Sequence, residues 1–388
     1  MKVLSIGPDK DLLTPGSVSF ERHRRYAEQV EELHAVIFAR RSYGIERVAI
    51  AQNAWSYPTG SSSTLGLFRD AYRIGRRLLR EPGTWVISAQ DPFESGLVGY
   101  VLSRVTGAPL LLQEHGDFFS APYWRSESFL NRVRFIVGVW LLRRAAHVRV
   151  VSMRIAETLS ALKVPKERMS VVPVYTEVSS ADSSSALAQY RPKNGLVVLT
   201  MARFVPQKNL SLLIRAVGRV HRQGGLIHLV IVGKGQEQKR LEQTVEKYAK
   251  NVVTFQGWTD DPSSLLASAD IYALSSDYEG WGRVCIEALA AGTPLLMTDV
   301  GCAGEVVRNN ENGLVVPVRD EQAFADALVR LATDAPLRVR LAQAGLDTVR
   351  RMGTREDSVV AYRKSLECCI VLPHEIAKSG KKAKRYTS

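Results

Sequence analysis

The sequence reads as an α/β protein of two Rossmann-like parallel-sheet domains facing each other across a cleft. Its 388 residues suffice for two domains at roughly 100–200 residues each. In both halves short apolar runs alternate with amphipathic stretches, strand then helix, the pattern of a parallel sheet with crossover helices. The alternation breaks at the small polar run 179–185 and at Arg191-Pro192-Lys193-Asn194-Gly195, a linker composition.

In the first half, strand-like runs lie at 3–7, 35–39, 48–51, 85–89, 110–113, 148–152 and 170–174. Helix-like segments fall between them, near 18–32, 64–80, 93–106, 127–145 and 153–162. The second half restarts with strand-like runs at 196–201, 228–232, 252–255, 271–275, 295–298 and 314–318. Its helix-like segments are near 208–222, 236–249, 262–268, 283–291, 320–332 and 336–350, and a last one spans 356–371. The expected division is a first domain over 1–178, a linker over 179–194, a second domain over 195–355, a terminal helix over 356–372 and a basic, disordered tail over 373–388.

Hydrophobic residues make up 45% and charged residues 23%, a balance that lets each half bury its own core. No apolar run approaches the ~18 residues of a membrane span. The first residues, Met1-Lys2-Val3-Leu4-Ser5-Ile6-Gly7, read as a buried strand and are too short for a signal peptide. Cys285, Cys302, Cys368 and Cys369 follow no zinc spacing and read as reduced thiols of a cytoplasmic protein. The net charge of +13 favours anionic partners: nucleotide phosphates, nucleic acid or an acidic membrane face.

In open parallel sheets, ligands bind beyond the carboxyl ends of the strands, so the loops after strands are where chemistry belongs. The richest one follows 271–275 and runs Ser276-Asp277-Tyr278-Glu279-Gly280-Trp281-Gly282-Arg283-Val284-Cys285-Ile286-Glu287. Gly280 and Gly282 allow a tight turn and close approach to a ligand. A helix then starts near Gly282 or Arg283 and stops at Gly292, ahead of Pro294. The free N–H groups at its start make an anion site. Glu279 stands in the loop before that helix and Glu287 more than a turn inside it. Two carboxylates near a phosphate-binding helix end suit a ligand with both phosphate and hydroxyls.

A second loop follows 196–201 and reads Ala202-Arg203-Phe204-Val205-Pro206-Gln207-Lys208. A helix dipole does not favour cations at its N-terminus, so Arg203 and Lys208 are better explained by a bound diphosphate. Gly233-Lys234-Gly235 is a short strand-to-helix turn, weak evidence by itself. In the first half, Glu114-His115-Gly116 ends a strand, and a histidine there can bond a sugar hydroxyl or handle protons. Thr14-Pro15-Gly16-Ser17 precedes a helix and is either a plain turn or a loop facing phosphate or acceptor.

Taken together these loops resemble the retaining glycosyltransferases of family 4, which have the GT-B fold. Glu279 to Glu287 is similar to the family's E-x7-E motif, continuing through Ala288-Leu289-Ala290-Ala291-Gly292-Thr293-Pro294. Ala202-Arg203 with Lys208 resembles its Gly-Arg…Lys element, with Ala202 where Gly is usual and Trp281 where Phe is usual. The likeness covers most of 195–320 well and the first domain loosely; Gly301-Cys302-Ala303-Gly304-Glu305 only approximates the family's loop there.

The resemblance implies a retaining, metal-independent hexosyltransferase using a UDP- or GDP-linked sugar, with no cofactor. Arg203 and Lys208 would bind the donor diphosphate, and Glu287 the ribose. Glu279 and the backbone through Gly280, Trp281, Gly282, Arg283 and Val284 would contact the donor sugar, and His115 would line the donor-sugar side of the cleft. Gly16 and Gly233 complete the implied substrate contacts. The first domain would bind the acceptor, a carbohydrate or lipid-linked glycoconjugate, and helix 356–371 would cross back onto it.

Two basic stretches, 69–80 and 131–149, bear on that acceptor. The second surrounds Phe135-Ile136-Val137-Gly138-Val139-Trp140-Leu141-Leu142, which reads either as a core helix with a solvated basic face or as a helix lying on the cytoplasmic face of an anionic membrane. Rival readings are a nucleotide-sugar epimerase or hydrolase on the same fold, a non-catalytic subunit, which the presence of both Glu279 and Glu287 opposes, and a nucleic-acid binder. The last is disfavoured because the basic residues are spread over both domains without an aromatic platform.

Overall fold

The computed structural model of the chain describes residues 1–44, 47–177 and 185–383. The chain divides into two compact units: Met1–Pro173 together with Thr354–Ser388, and Val174–Gly353. Residues 179–184 of the expected linker lie outside the described residues.

The first unit runs β1 (Lys2–Gly7), α1 (Val18–Ala27), β2 (Glu32–Ile37), β3 (Val48–Ala51), β4 (Ala54–Pro58), α2 (Thr64–Leu78), β5 (Trp85–Ala89), α3 (Glu94–Thr106) and β6 (Leu110–Glu114). It continues with α4 (Pro122–Glu127), α5 (Phe129–Leu142), β7 (His147–Val150), α6 (Met153–Ala161) and β8 (Met169–Val171). The second unit runs β9 (Leu196–Met201), α7 (Leu210–Arg222), β10 (Ile227–Val232), α8 (Gln238–Tyr248), β11 (Val253–Gln256), α9 (Pro262–Ser268) and β12 (Ile271–Leu274). After these come α10 (Arg283–Ala290), β13 (Leu295–Thr298), β14 (Leu314–Val316), α11 (Glu321–Thr333) and α12 (Ala335–Arg350). The last helix, α13 (Arg355–Ala383), returns to the first unit.

The first sheet has the order β3-β4-β2-β1-β5-β6-β7-β8, parallel except for the antiparallel pair β3/β4. The second, β11-β10-β9-β12-β13-β14, is parallel throughout. Strand order reverses at β1/β5 in one sheet and at β9/β12 in the other, the two places where a ligand finds a crevice.

Both faces of these sheets are covered, so the central strands read as continuous apolar runs. In the first unit Val3, Leu33, Ile37, Val86 and Leu111 pack with Phe20 and Tyr26 of α1 and with Tyr362, Leu366 and Cys369 of α13. Tyr362 stacks on Tyr26 at 4.1 Å between ring centroids, and the Arg149 guanidinium lies 5.2 Å over the same ring. The second unit closes Val198, Leu229, Ile231, Ile271 and Leu296 against Leu213, Val217, Phe324 and Leu328. All four cysteines are free thiols. Among the described residues no helix is long and apolar enough to cross a membrane.

Three elements differ from the sequence reading. Helix α1 stops at Ala27 and β2 begins at Glu32, because the Asn53 side-chain amide donates to the carbonyls of Ala27, Val30 and Glu31 and holds the chain in a turn. Strand β4 was not legible: Ala54-Trp55-Ser56-Tyr57-Pro58 is short and ends in proline, and it forms by pairing with both β2 and β3. Helix α13 continues past 372 to Ala383, into the stretch read as a tail. Residues 384–388 lie outside the described residues.

Candidate active site

The β9/β12 switch point brings the two richest loops side by side. Val198 and Leu199 of β9 pair with Ile271 and Tyr272 of β12, so the segments 202–209 and 275–282 leave the sheet from adjacent strand ends. Lys208, in a short 3-10 turn Pro206–Lys208 ahead of α7, meets Glu279 with Nζ to Oε1 at 2.5 Å. Both side chains are mostly shielded, 17% and 11% exposed. Ser276 Oγ donates to the same Glu279 oxygen at 2.6 Å. Thr298 Oγ1 in turn fixes the Ser276 carbonyl at 2.6 Å, and Ser275 Oγ donates to the Lys208 carbonyl at 2.9 Å.

Asp277 joins the loops a second time. Its carboxylate accepts from Asn209 Nδ2 at 2.8 Å and from Arg319 Nε at 2.9 Å, while its N–H donates to the Gln207 carbonyl at 2.8 Å. Gln207 Nε2 reaches the Tyr278 carbonyl at 2.8 Å. Sequence reasoning passed over Asp277, Asn209, Ser276, Thr298 and Arg319. The first three carried a signal, being polar residues in the same two loops. Thr298 and Arg319 come from β13 and from the segment after β14 and only the fold delivers them.

The helix between the two glutamates is α10. Its cap residue Gly282 has φ +82°, a left-handed conformation that a side chain disfavours. No side chain caps the helix start; Cys285 N–H bonds the Gly282 carbonyl at 2.9 Å, and the N–H groups of Arg283 and Val284 together with the dipole suit an anion. Cys302 N–H ties the preceding carbonyl of Trp281 at 2.9 Å. At the other end Thr293 N–H bonds the Ala288 carbonyl and Gly292 N–H that of Leu289, a Schellman stop. Glu287 is half-buried on α10, with Arg283 one turn before it at 3.6 Å. Burial raises its pKa above the usual carboxylate range and Arg283 partly opposes this.

Arg203 is exposed on the first loop. That loop is braced by 233–235: Phe204 N–H bonds the Lys234 carbonyl, and Glu237 N–H bonds the Phe204 carbonyl, each at 3.0 Å. A Cβ on Gly233 would fall 2.0 Å from the Ala202 carbonyl oxygen, at φ +144°. The glycine turn that looked weak in the sequence is required by the close passage of these two backbones. Trp281 is buried and Val284 half-buried; Gly280 is buried in the loop itself.

Two expected site residues belong to the first unit. His115 follows β6 and its Nε2 lies 3.3 Å from Gln90 Oε1, with Gln90 Nε2 donating to Ser5 Oγ at 3.1 Å. The side chain reaches solvent, but the surrounding protein, and then the cations Arg149 and Arg22, hold its imidazole neutral, well below the usual range. Gly16 is exposed at φ +82° just before Ser17, whose Oγ caps α1 by accepting from Phe20 N–H at 3.2 Å.

Residues 187–348 match the family described as glycosyl transferases group 1, and residues 22–174 match the glycosyl transferase 4-like domain. The lipopolysaccharide core biosynthesis glycosyltransferase LpsE of Rhizobium meliloti is 32% identical over 213 residues, 55% of this chain and 61% of LpsE. The phosphatidyl-myo-inositol mannosyltransferase of Mycobacterium leprae is 37% identical over 187 residues, 46% of this chain and 48% of the mannosyltransferase. The chain thus spans about half to three fifths of the length of these curated relatives. Among solved structures, sucrose-phosphate synthase of Thermosynechococcus elongatus superposes with TM-score 0.78 at 19% identity, covering 98% of this chain and all of that one (100%). Anabaena HepE, solved with UDP and glucose, gives 0.72 at 21% identity, covering 95% and 98%. These likenesses make the fold GT-B, its two parallel α/β sheets having eight and six strands among the described residues.

Proposed function

We propose that this chain, which belongs to the glycosyl transferase group 1 family, moves a hexose from a UDP- or GDP-linked donor to a carbohydrate or lipid-linked acceptor with retention at the anomeric carbon. The observation that carries the reading is the Lys208–Glu279 pair at the β9/β12 switch point, beside the uncapped start of α10. A cation, a carboxylate and free helix N–H groups at one crevice suit a ligand that is diphosphate at one end and polyol at the other.

In this reading Lys208 and the exposed Arg203 take the diphosphate, and Glu287 takes the ribose hydroxyls. Glu279 and the backbone from Gly280 to Val284 take the sugar, and His115 offers a neutral imidazole to a sugar hydroxyl. Gly233 fixes the course of the Arg203 loop, and Gly16 lies in the loop that opens α1. The bond from the anomeric carbon to the phosphate oxygen breaks, and the acceptor oxygen bonds to the same face. Its proton passes to the departing phosphate oxygen, whose charge Arg203, Lys208 and the α10 N-terminus stabilise.

A lipid-linked acceptor is supported by three apolar residues exposed at the first turns of helices that follow strands of the first sheet: Val18 (66%), Leu65 (82%) and Met153 (49%). The phosphatidyl-myo-inositol mannosyltransferase, by its name, also acts on a lipid. Work at the cytoplasmic face of a membrane belongs to the same reading. The test is incubation with UDP- and GDP-hexoses, with and without a lipid-linked acceptor, followed by NMR of the product linkage. Acceptor-dependent transfer with the donor's anomeric configuration is expected. An inverted product, or sugar release that ignores the acceptor, contradicts the reading.

A further inference from the structure

We infer that the outer face of α3 and α5 docks the protein onto an anionic lipid bilayer, with both helices lying in the plane of the surface. This deepens the membrane placement proposed above without resting on the transfer reaction.

The α5 stripe is the first observation. Phe129, Val133, Ile136 and Trp140 recur at helical spacing and are 78%, 41%, 69% and 40% exposed, one narrow apolar line pointing away from the core. The opposite face of α5 holds the buried Asn131, Gly138, Leu141 and Leu142. The helix is therefore anchored on one side and unpartnered on the other.

Helix α3 continues the patch. Leu97, Val101 and Val105 stand four residues apart and are 40%, 42% and 54% exposed. Tyr100 and Trp140 meet edge-to-face at 4.8 Å, locking the two helices side by side. Single exposed apolar residues are ordinary, but two parallel rows of them on packed helices mark an interaction surface.

Charge identifies the occupant. Arg132 and Arg143 flank the α5 stripe on one side and Arg144 on the other, all exposed, and Arg104 stands beside the α3 row. The two helices contain one acid, Glu94, and it is paired with Arg134 Nε at 2.9 Å. Arg144 lies 4.3 Å over the Trp140 ring, which holds a cation against the aromatic at one end of the stripe. A protein partner of ordinary composition would bring both signs of charge to such a rim. An anionic headgroup layer over acyl chains matches an apolar stripe edged on both sides by exposed arginines.

Flotation tests this with vesicles of phosphatidylcholine containing phosphatidylglycerol, against phosphatidylcholine alone. The expected result is flotation with the anionic vesicles only, weakened by salt. The surface variant I136S/W140S and the charge variant R132E/R143E should each lose at least about tenfold in binding, with unchanged circular dichroism and unchanged nucleotide binding. The inference is overturned if the wild-type chain stays unbound, if both folded variants float as well as wild type, or if the patch instead mediates a dimer that I136S/W140S dissolves. Because flotation needs no donor sugar, its failure leaves the proposed transfer reaction standing, and failure of transfer leaves docking standing.

Discussion

Lys208 and Glu279 are ion-paired at 2.5 Å across the ends of two neighbouring parallel strands, although 71 residues separate them in the chain. The contact unites two loops that were legible separately in the sequence. Ser276 shares the Glu279 oxygen, and Asp277 ties the same loops through Asn209, so the pair is held from several directions.

Removing one partner strands a shielded charge. Lys208→Met should destabilise the second unit by about 3 kcal/mol, and Glu279→Gln somewhat less, because the amide still accepts from Ser276. The double replacement should recover part of the loss. Urea unfolding of the four proteins measures the coupling; strictly additive effects would show that the pair does not act as one.

Gly233→Ala should be costly for a small change. The new Cβ would sit 2.0 Å from the Ala202 carbonyl oxygen at a φ of +144°, so the loop carrying Arg203 must move. A loss of about 2 kcal/mol or more is expected from backbone strain and displacement, with weakened nucleotide binding. A thermal melt matching wild type would contradict the packing described.

Glu287 predicts a pH dependence of stability. Burial raises its folded pKa above the ordinary 4.5, with Arg283 opposing. In that window the folded chain holds a proton that the unfolded chain has released. Stability therefore falls as pH rises from 4.5 through the folded pKa. Glu287→Gln should flatten this slope and be the more stable form above the window. Denaturant midpoints across the acid range provide the check.

His115 should lose activity without losing fold. Its imidazole is exposed and held neutral, so its NMR resonances should not titrate between about pH 5 and 8, where a free imidazole does. His115→Phe should lower turnover by about a hundredfold and leave the melting temperature unchanged. A clear titration near pH 6.5 would overturn this account of its environment.

The fold was legible because each central strand is buried on both faces and carries an uninterrupted apolar run, as at Leu229–Val232 and Ile271–Leu274. Strand β4 was not, because Trp55 and Tyr57 alternate with Ser56 and Pro58 closes the segment; its partners define it. The end of α1 was missed for a similar reason: Asn53, in the β3–β4 turn, donates to the carbonyls at its end. In the site, Glu279 and Glu287 stood out as carboxylates in and just after a glycine-bearing loop, and Arg203 and Lys208 as cations in the loop that follows β9. Thr298 and Arg319 did not, since their roles arise only when β13 and the segment after β14 fold beside β12. The outward face of α5 was also open, because an apolar run between arginines fits a core helix and a surface helix equally; relative exposure decides it.

In the proposed function the β9/β12 switch point seats a nucleoside diphosphate through Lys208 and Arg203. Isothermal titration of the intact chain with UDP, GDP and ADP, beside Lys208→Met and Arg203→Ala, tests it most directly. One nucleotide should bind with 1:1 stoichiometry, and each variant should weaken it at least about tenfold, the loss of one charge-assisted contact. Failure of all three nucleotides to bind, or undiminished binding by both folded variants, would rule out a diphosphate seat at Lys208 and Arg203.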